Sequence, residues 1–306
     1  MDLFEAIILT TISASIPLIL AGSGELIVER AGVLNLGIEG MMIVGAACGF
    51  GGAYISGSII VGALCGVVGG MALSAMFALL AFSFAVNQVA TGLALTILGA
   101  GVSGLIGADF VGIKISTTPN LHIPILTELP FAGSILFGQN AFTYFAILLV
   151  VGIWWFLYHT RGGLVLRAVG DNHTAAYALG YPVLKIRWLA VLFGGGCAGL
   201  GGAYLPLAYT PFFVPEMTAG RGWIVLALVV FASWRPGRLV IGAFLFGAVT
   251  ILQLQAQSAG VGVPSQLMAA LPYLACIAVL VLISSKHHTA SSAMPASLGI
   301  SFVPDR

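Results

Sequence analysis

The sequence predicts an all-α, polytopic transmembrane helix bundle of about nine spans (eight to ten), running N-out and C-in. Three observations predict it. Of 306 residues, 59% are hydrophobic and only 7% charged, against roughly 25% charged in an ordinary soluble domain. Mean hydropathy is +1.10. The apolar runs are continuous, as in Ile59–Phe82 and Phe142–Leu157, whereas an outer-membrane strand alternates over about ten positions. A chain with so little polar surface does not stay in water. Soluble enzymes, disordered chains and nucleic-acid binders are thereby excluded. Lys and Arg number 11, Asp and Glu 10, for a net charge of +1, so attraction to an acidic partner is not its theme.

A spanning helix needs about 20 mostly apolar residues. Taken in order, the candidate spans are 5–22, 38–53, 58–82, 89–107, 141–158, 188–208, 222–234, 239–256 and 266–284. The second and seventh are short, as tilted or broken helices are. Glycine occurs 41 times. In a lipid-embedded bundle, small residues let helix backbones approach, and the ladder Gly62, Gly66, Gly70 and the run Gly194–Gly202 read that way. Cys48, Cys65, Cys197 and Cys276 lie in apolar runs without C-x-x-C spacing, which points to packing rather than to metal or disulfides.

The basic residues orient the bundle. With nine spans and the C-terminal end inside, every Lys and Arg except Lys114 and Arg221 falls on the inner face, as the positive-inside rule requires. The MDLFEAII start has no basic region and does not read as a cleaved signal peptide. The chain divides into a transmembrane domain, 1–285, and a polar, small-residue tail, 286–306, read as a flexible cytoplasmic end. Two loops are long: the Pro-containing outer segment 108–140 and the inner loop 159–187. Arg30–Gly37 (RAGVLNLG) and Arg235–Gly242 (RPGRLVIG) form a faint repeat.

No catalytic constellation survives inspection. Gly101–Gly104 reads G-V-S-G, but an intramembrane serine nucleophile needs a base at its own depth. All five histidines lie in loops or the tail, so Ser103 reads as a packing residue. H-E-x-x-H and P-loop motifs are absent. No catalytic residue, metal or cofactor follows, and this chain does not hydrolyse ATP by the P-loop route.

Ion-coupled carriers place charges within their spans; here the spans are nearly clean. The polar candidates are Asn35, Glu39, Asn87, Gln88 and the amides Gln253, Gln255 and Gln257. They suit a neutral polar solute, or they bond helix to helix. Glu216 and Arg221, in the outer loop PFFVPEMTAGRGW, read as a gate or an interfacial ion pair. The inner stretch RGGLVLRAVGDNHTAAYALGYPVLKIR is the most informative. Asp171 or Asn172 caps a short helix over Thr174–Leu179, which Gly180 and Pro182 stop. A helix this short is marginal alone in water. It forms by packing on something: a lipid interface, or a docked cytoplasmic partner.

At this loop the sequence resembles the permease subunits of bacterial ABC importers, in the branch for nucleosides and simple sugars. Permeases for ribose and branched-chain amino acids are more distant relatives. Five stretches carry the resemblance: Glu29–Met42 (ERAGVLNLGIEGMM), Asn87–Leu95 (NQVATGLAL), Arg167–Gly180 (RAVGDNHTAAYALG), Gly220–Ala227 (GRGWIVLA) and Pro236–Leu252. Their order spans nearly the whole chain outside the tail. Two departures stand out. His173–Thr174 replaces a Pro and a basic or polar residue, and Phe231–Trp234 (FASW) replaces a glycine-containing FGKW-like pattern.

The resemblance implies half of a translocation pore in a bacterial inner membrane. It implies a cytoplasmic ABC ATPase, a second homologous permease (a heterodimer), and a periplasmic or lipoprotein solute-binding protein. It places ATPase coupling on Arg167, Gly170, Asp171, Ala175, Ala176 and Gly180. The pore candidates remain Asn35, Glu39, Asn87, Gln88, Glu216 and Arg221. Two alternatives stand: a self-sufficient secondary carrier or channel for a small neutral polar solute, and an ABC permease for branched-chain amino acids.

Overall fold

A computed structural model describes residues 3–121, 132–259, 264, 267–268, 270–284 and 294–303. Among the described residues the chain is helical, with isolated β-bridges and no strands. The main helices are α1 (Leu3–Arg30), α2 (Ile38–Ser56), α3 (Ile59–Ala78), α4 (Gln88–Gly107), α5 (Ala132–Phe137) and α6 (Ala141–His159). There follow α7 (Arg161–Asp171), α8 (His173–Ala178), α9 (Val183–Tyr204), α10 (Arg221–Phe231), α11 (Pro236–Ser258) and α12 (Leu271–Ser284). Helices α3 and α9 each run on into a π turn, Leu79–Ser83 and Leu205–Tyr209.

Seven helices among the described residues are long and apolar enough to cross a membrane. The expectation of nine spans is corrected here. The two remaining expected spans are helical over shorter described lengths, the ninth (266–284) being only partly described. Helix α10 has 11 residues and α12 has 14, or about 16 and 21 Å at 1.5 Å per residue. A hydrocarbon core is about 30 Å thick. Of the outer loop 108–140, residues 122–131 lie outside the described residues.

The centre is a close crossing of α1, α2, α3 and α9, and glycine makes it close. A Cβ on Gly70 would collide with the Gly195 carbonyl, and one on Gly45 with the Gly199 backbone. Any side chain at either place would part these backbones. The glycine ladders read from the sequence therefore lie where helices touch. Around this seam the apolar core runs from Ile16 through Met41 and Val191 to Phe246.

Helix α2 does not start level with its neighbours. Leu34 N–H donates to Gln88 Oε1 (2.9 Å) at the start of α4. Leu36 accepts from Thr96 Oγ1 (3.1 Å), two turns further along. Residues 31–37 are thus drawn into the bundle before α2 begins, and Gly40 packs on Leu95 and Thr96. At the other end of the bundle, residues 111–118 lie across 205–213. Val111 bridges Phe213, and Thr118 donates to the Leu207 carbonyl.

Candidate functional site

Two places concentrate the polar chemistry: the elbow between α7 and α8, and the start of α10.

The elbow is built by local caps. Thr160 Oγ1 accepts from Gly163 N–H (3.0 Å) and starts α7. Asn172 Oδ1 accepts from Ala175 N–H (2.9 Å) and starts α8. Gly180, at φ +86°, lets the chain turn out of α8 in the left-handed region that glycine tolerates. Ala176 is the buried contact of α8, and it meets Val169 and Val183. Thr174, Ala175, Ala178 and Leu179 are exposed, Leu179 at 77%. The outward face of α8 is thus made of small and mostly apolar side chains.

The other expected elbow residues hold it from beneath. Gly170 lies so close to the Arg30 carbonyl that a Cβ would collide with it. The Arg167 guanidinium sits 5.3 Å from the Tyr158 ring centre, and Asp171 is exposed. Sequence reasoning gave Arg187 no role here. It is fully buried, with Nε donating to the Ala31 carbonyl (3.2 Å) and Nη2 facing His173 Nδ1 (3.3 Å). Burial and the Arg187 charge hold the His173 imidazole below its ordinary pKa. The neutral ring then presents Nδ1 as acceptor.

The start of α10 is built from distant parts of the chain. Helix N-termini expose unpaired N–H groups and a positive dipole end. Here Glu39, from the first turn of α2, supplies the negative partner. Its carboxylate accepts from Thr218 Oγ1 (2.6 Å), Gly220 N–H (3.0 Å) and Gly222 N–H (2.5 Å). Gly220 reaches this position at φ +79°. Tyr273 of α12 donates its hydroxyl to the Ala219 carbonyl (3.1 Å). Arg221 donates to the Met217 and Thr218 carbonyls (3.0 and 3.2 Å), its guanidinium 5.9 Å from the Tyr209 ring centre. The ion pair read between Glu216 and Arg221 is corrected accordingly. Glu216 is exposed at φ +57°, and Arg221 turns to backbone carbonyls instead.

The remaining pore candidates divide. Asn35 is buried, with Oδ1 accepting from Gly37 N–H (3.0 Å). Gln88 is buried, and its Nε2 has no partner among the described residues. Both flank the 31–37 passage that leads to Glu39. Asn87 is exposed and caps α4 through Ala90 N–H (3.1 Å). Ser103 is buried with no hydrogen-bond partner among the described residues, and no base of the described chain bonds to it. Sequence reasoning missed Thr218, in the turn before α10, and Tyr273 of α12, which partner the Glu39 region. It also missed the pair Glu29–Trp234, where the indole N–H donates to the carboxylate (2.6 Å). The only signal was the T-A-G-R-G run, whose two glycines permit the turn. Ser233 and Trp234 sit at φ +49° and +54°, a strained turn for side-chain-bearing residues. It lies in the stretch where FASW departs from its expected pattern.

Comparison with known proteins gives the context. Residues 7–283 match a family profile described as "Branched-chain amino acid transport system / permease component". TsgC13 of Haloferax volcanii, provisionally named a glucose ABC transporter permease, is 43% identical over 94% of both chains. The nucleoside ABC transporter permease NupC of Lactococcus lactis is 29% identical over 99% of this chain and 98% of its own. In structure, an inward-facing metal-chelate type ABC transporter aligns with a TM-score of 0.52 at 18% identity, covering 90% of this chain and 85% of that one. That likeness concerns the fold.

Proposed function

Because this chain belongs to the branched-chain amino acid transport system / permease component family, we propose that it forms half of the pore of an ATP-driven importer for nucleosides or related simple sugars. The observation that carries this reading is the elbow: a capped two-turn helix with its small apolar face turned outward. The names of the full-length relatives, a glucose and a nucleoside permease, support the substrate class. The partners are a cytoplasmic ABC ATPase seated on α8, a second homologous permease making a heterodimer, and a solute-binding protein on the opposite face. The elbow side is the cytoplasmic side, with the N-terminal end of α1 outside. Arg30, Arg161, Arg167, Arg187 and Arg235 cluster at that end, which supports the orientation. No cofactor belongs to this chain.

In the cycle, ATP binding closes the ATPase and moves α8. Through Gly170 and Arg187 the movement reaches residues 31–37 and the start of α2. Solute passes Asn35, Gln88 and the Glu39–Arg221 junction, meeting amides and backbone as well as one carboxylate and one guanidinium. Ligands bias such a two-state pore only through differential affinity for its states.

Mild detergent extraction from native membranes, followed by mass spectrometry and reconstitution, tests the reading. The expected result is co-purification of an ABC ATPase and a second permease, with ATP-dependent uptake of a nucleoside or an aldohexose. Recovery of the chain alone, importing solute on an ion gradient without ATP, would replace it with the carrier reading. ATP-dependent uptake of leucine but of neither other solute would correct the substrate class.

A further inference from the structure

The segment 294–303 was expected to hang free. It is instead docked on the elbow, by bonds that composition does not reveal. Ser297 N–H donates to the Gly170 carbonyl (2.9 Å) at the end of α7. Ser297 Oγ lies 3.3 Å from the Asp171 carbonyl and 3.4 Å from His173 N–H, bridging α7 to α8. Gly299, at φ +74°, points its N–H at the Gly32 carbonyl (3.3 Å). Arg187 Nη1 donates to the Ile300 carbonyl (3.0 Å). The Phe302 ring then lies 5.1 Å from the His173 ring centre and 5.4 Å from that of Tyr177. Within ten residues the segment holds α7, α8, α9 and the 31–37 passage.

Its placement separates two roles. Phe302 covers the His173 and Tyr177 flank of α8, while Thr174, Ala175, Ala178 and Leu179 stay exposed. The segment does not block the open face. It backs the helix against the chain that enters the bundle. A six-residue helix with one buried contact, Ala176, is poorly fixed by its own packing. Force applied to its open face would rotate it locally unless something ties it to the core.

We propose that residues 294–303 are a positioning strap of the transport cycle, tying α8 to the 31–37 passage so that displacement of α8 is delivered to the start of α2. This rests on the reading of α8 as the ATPase dock. Ser297 and Gly299 supply the tie and Phe302 supplies the grip.

The test measures solute imported per ATP hydrolysed in proteoliposomes holding the assembled importer. It compares the full chain with a chain ending at Ala293, and with Phe302→Ala, Phe302→Trp and Gly299→Val. The strap predicts that the shortened chain and Phe302→Ala still bind the ATPase and allow hydrolysis, while solute moved per ATP falls severalfold. Phe302→Trp restores the ratio, and Gly299→Val lowers it. An unchanged ratio in the shortened chain and in Phe302→Ala overturns the strap. So does loss of ATPase binding in the Phe302→Ala chain, which would make the segment part of the dock itself. If the shortened chain fails to insert, Phe302→Ala and its Trp rescue decide alone. Failure of the full chain to bind any ATPase would appear before any variant is made, and would sink the importer reading instead.

Discussion

The elbow and the start of α10 meet the same physical demand in opposite ways. Each is a helix end whose first N–H groups need acceptors. The elbow finds them within three residues: Thr160 for Gly163, Asn172 for Ala175. Helix α10 takes its acceptor from Glu39, 183 residues away from Gly222 along the chain. Local caps make a helix end that can form without partners from elsewhere in the chain. A distant cap makes one whose integrity depends on the whole bundle being assembled. The elbow and the start of α10 thus differ in where their caps come from.

The largest effect expected from breaking this contrast is at Glu39. Glu39→Ala leaves the Thr218 hydroxyl and the Gly220 and Gly222 amides facing no acceptor. Bonds to a charged group are worth about 1.5–3 kcal/mol each, so thermal unfolding in detergent should show a loss of at least about 3 kcal/mol. Glu39→Gln keeps an acceptor oxygen and should lose less. Equal stability of Glu39→Ala and the parent chain would show that the junction is not a cap. Next comes Asn172→Ala, which should cost about 1 kcal/mol, as cap losses do, and only locally. Global unfolding should barely shift while uptake falls. A global shift as large as that of Glu39→Ala would erase the distinction between the two regions.

The smallest effect concerns pH. His173 has a folded pKa below the ordinary value, because burial and Arg187 disfavour its charge. Its packing is therefore fully stable above about pH 6.5 and weakens as pH falls through that value towards the lowered one. Protonation removes the Nδ1 acceptor and sets a second cation beside Arg187. Protease nicking of segment 294–303 in membranes should rise modestly on acidification, and His173→Gln should flatten the dependence.

The same contrast explains what was legible in the sequence. All nine apolar stretches are mainly helical in their described residues, because hydropathy over a window reports burial in lipid without reference to partners. The cap was legible as Asp171 or Asn172 because it sits close before its donor, and Asn172 is the one that accepts. The short length of α10 was not: the apolar residues run on to Trp234 while the helix stops at Phe231. Glu39 was legible as an intramembrane carboxylate. Its partners were not, since nothing near residue 39 points to residues 218–222. The strap was hidden for a related reason: Gly299 and, in part, Ser297 act through backbone N–H groups, which every non-proline residue has.

The long-range cap also constrains how the chain is made. Glu39 enters the membrane with α2, before Gly222 exists. At roughly 5–20 residues per second, a ribosome needs about 10–40 seconds to reach the donors that will hold it. An acidic residue carried into the membrane without a partner is costly. During that wait the nascent Glu39 side chain has none of these donors and stays at the wet end of an unfinished bundle. Only when α10 arrives is α2 drawn to its final depth.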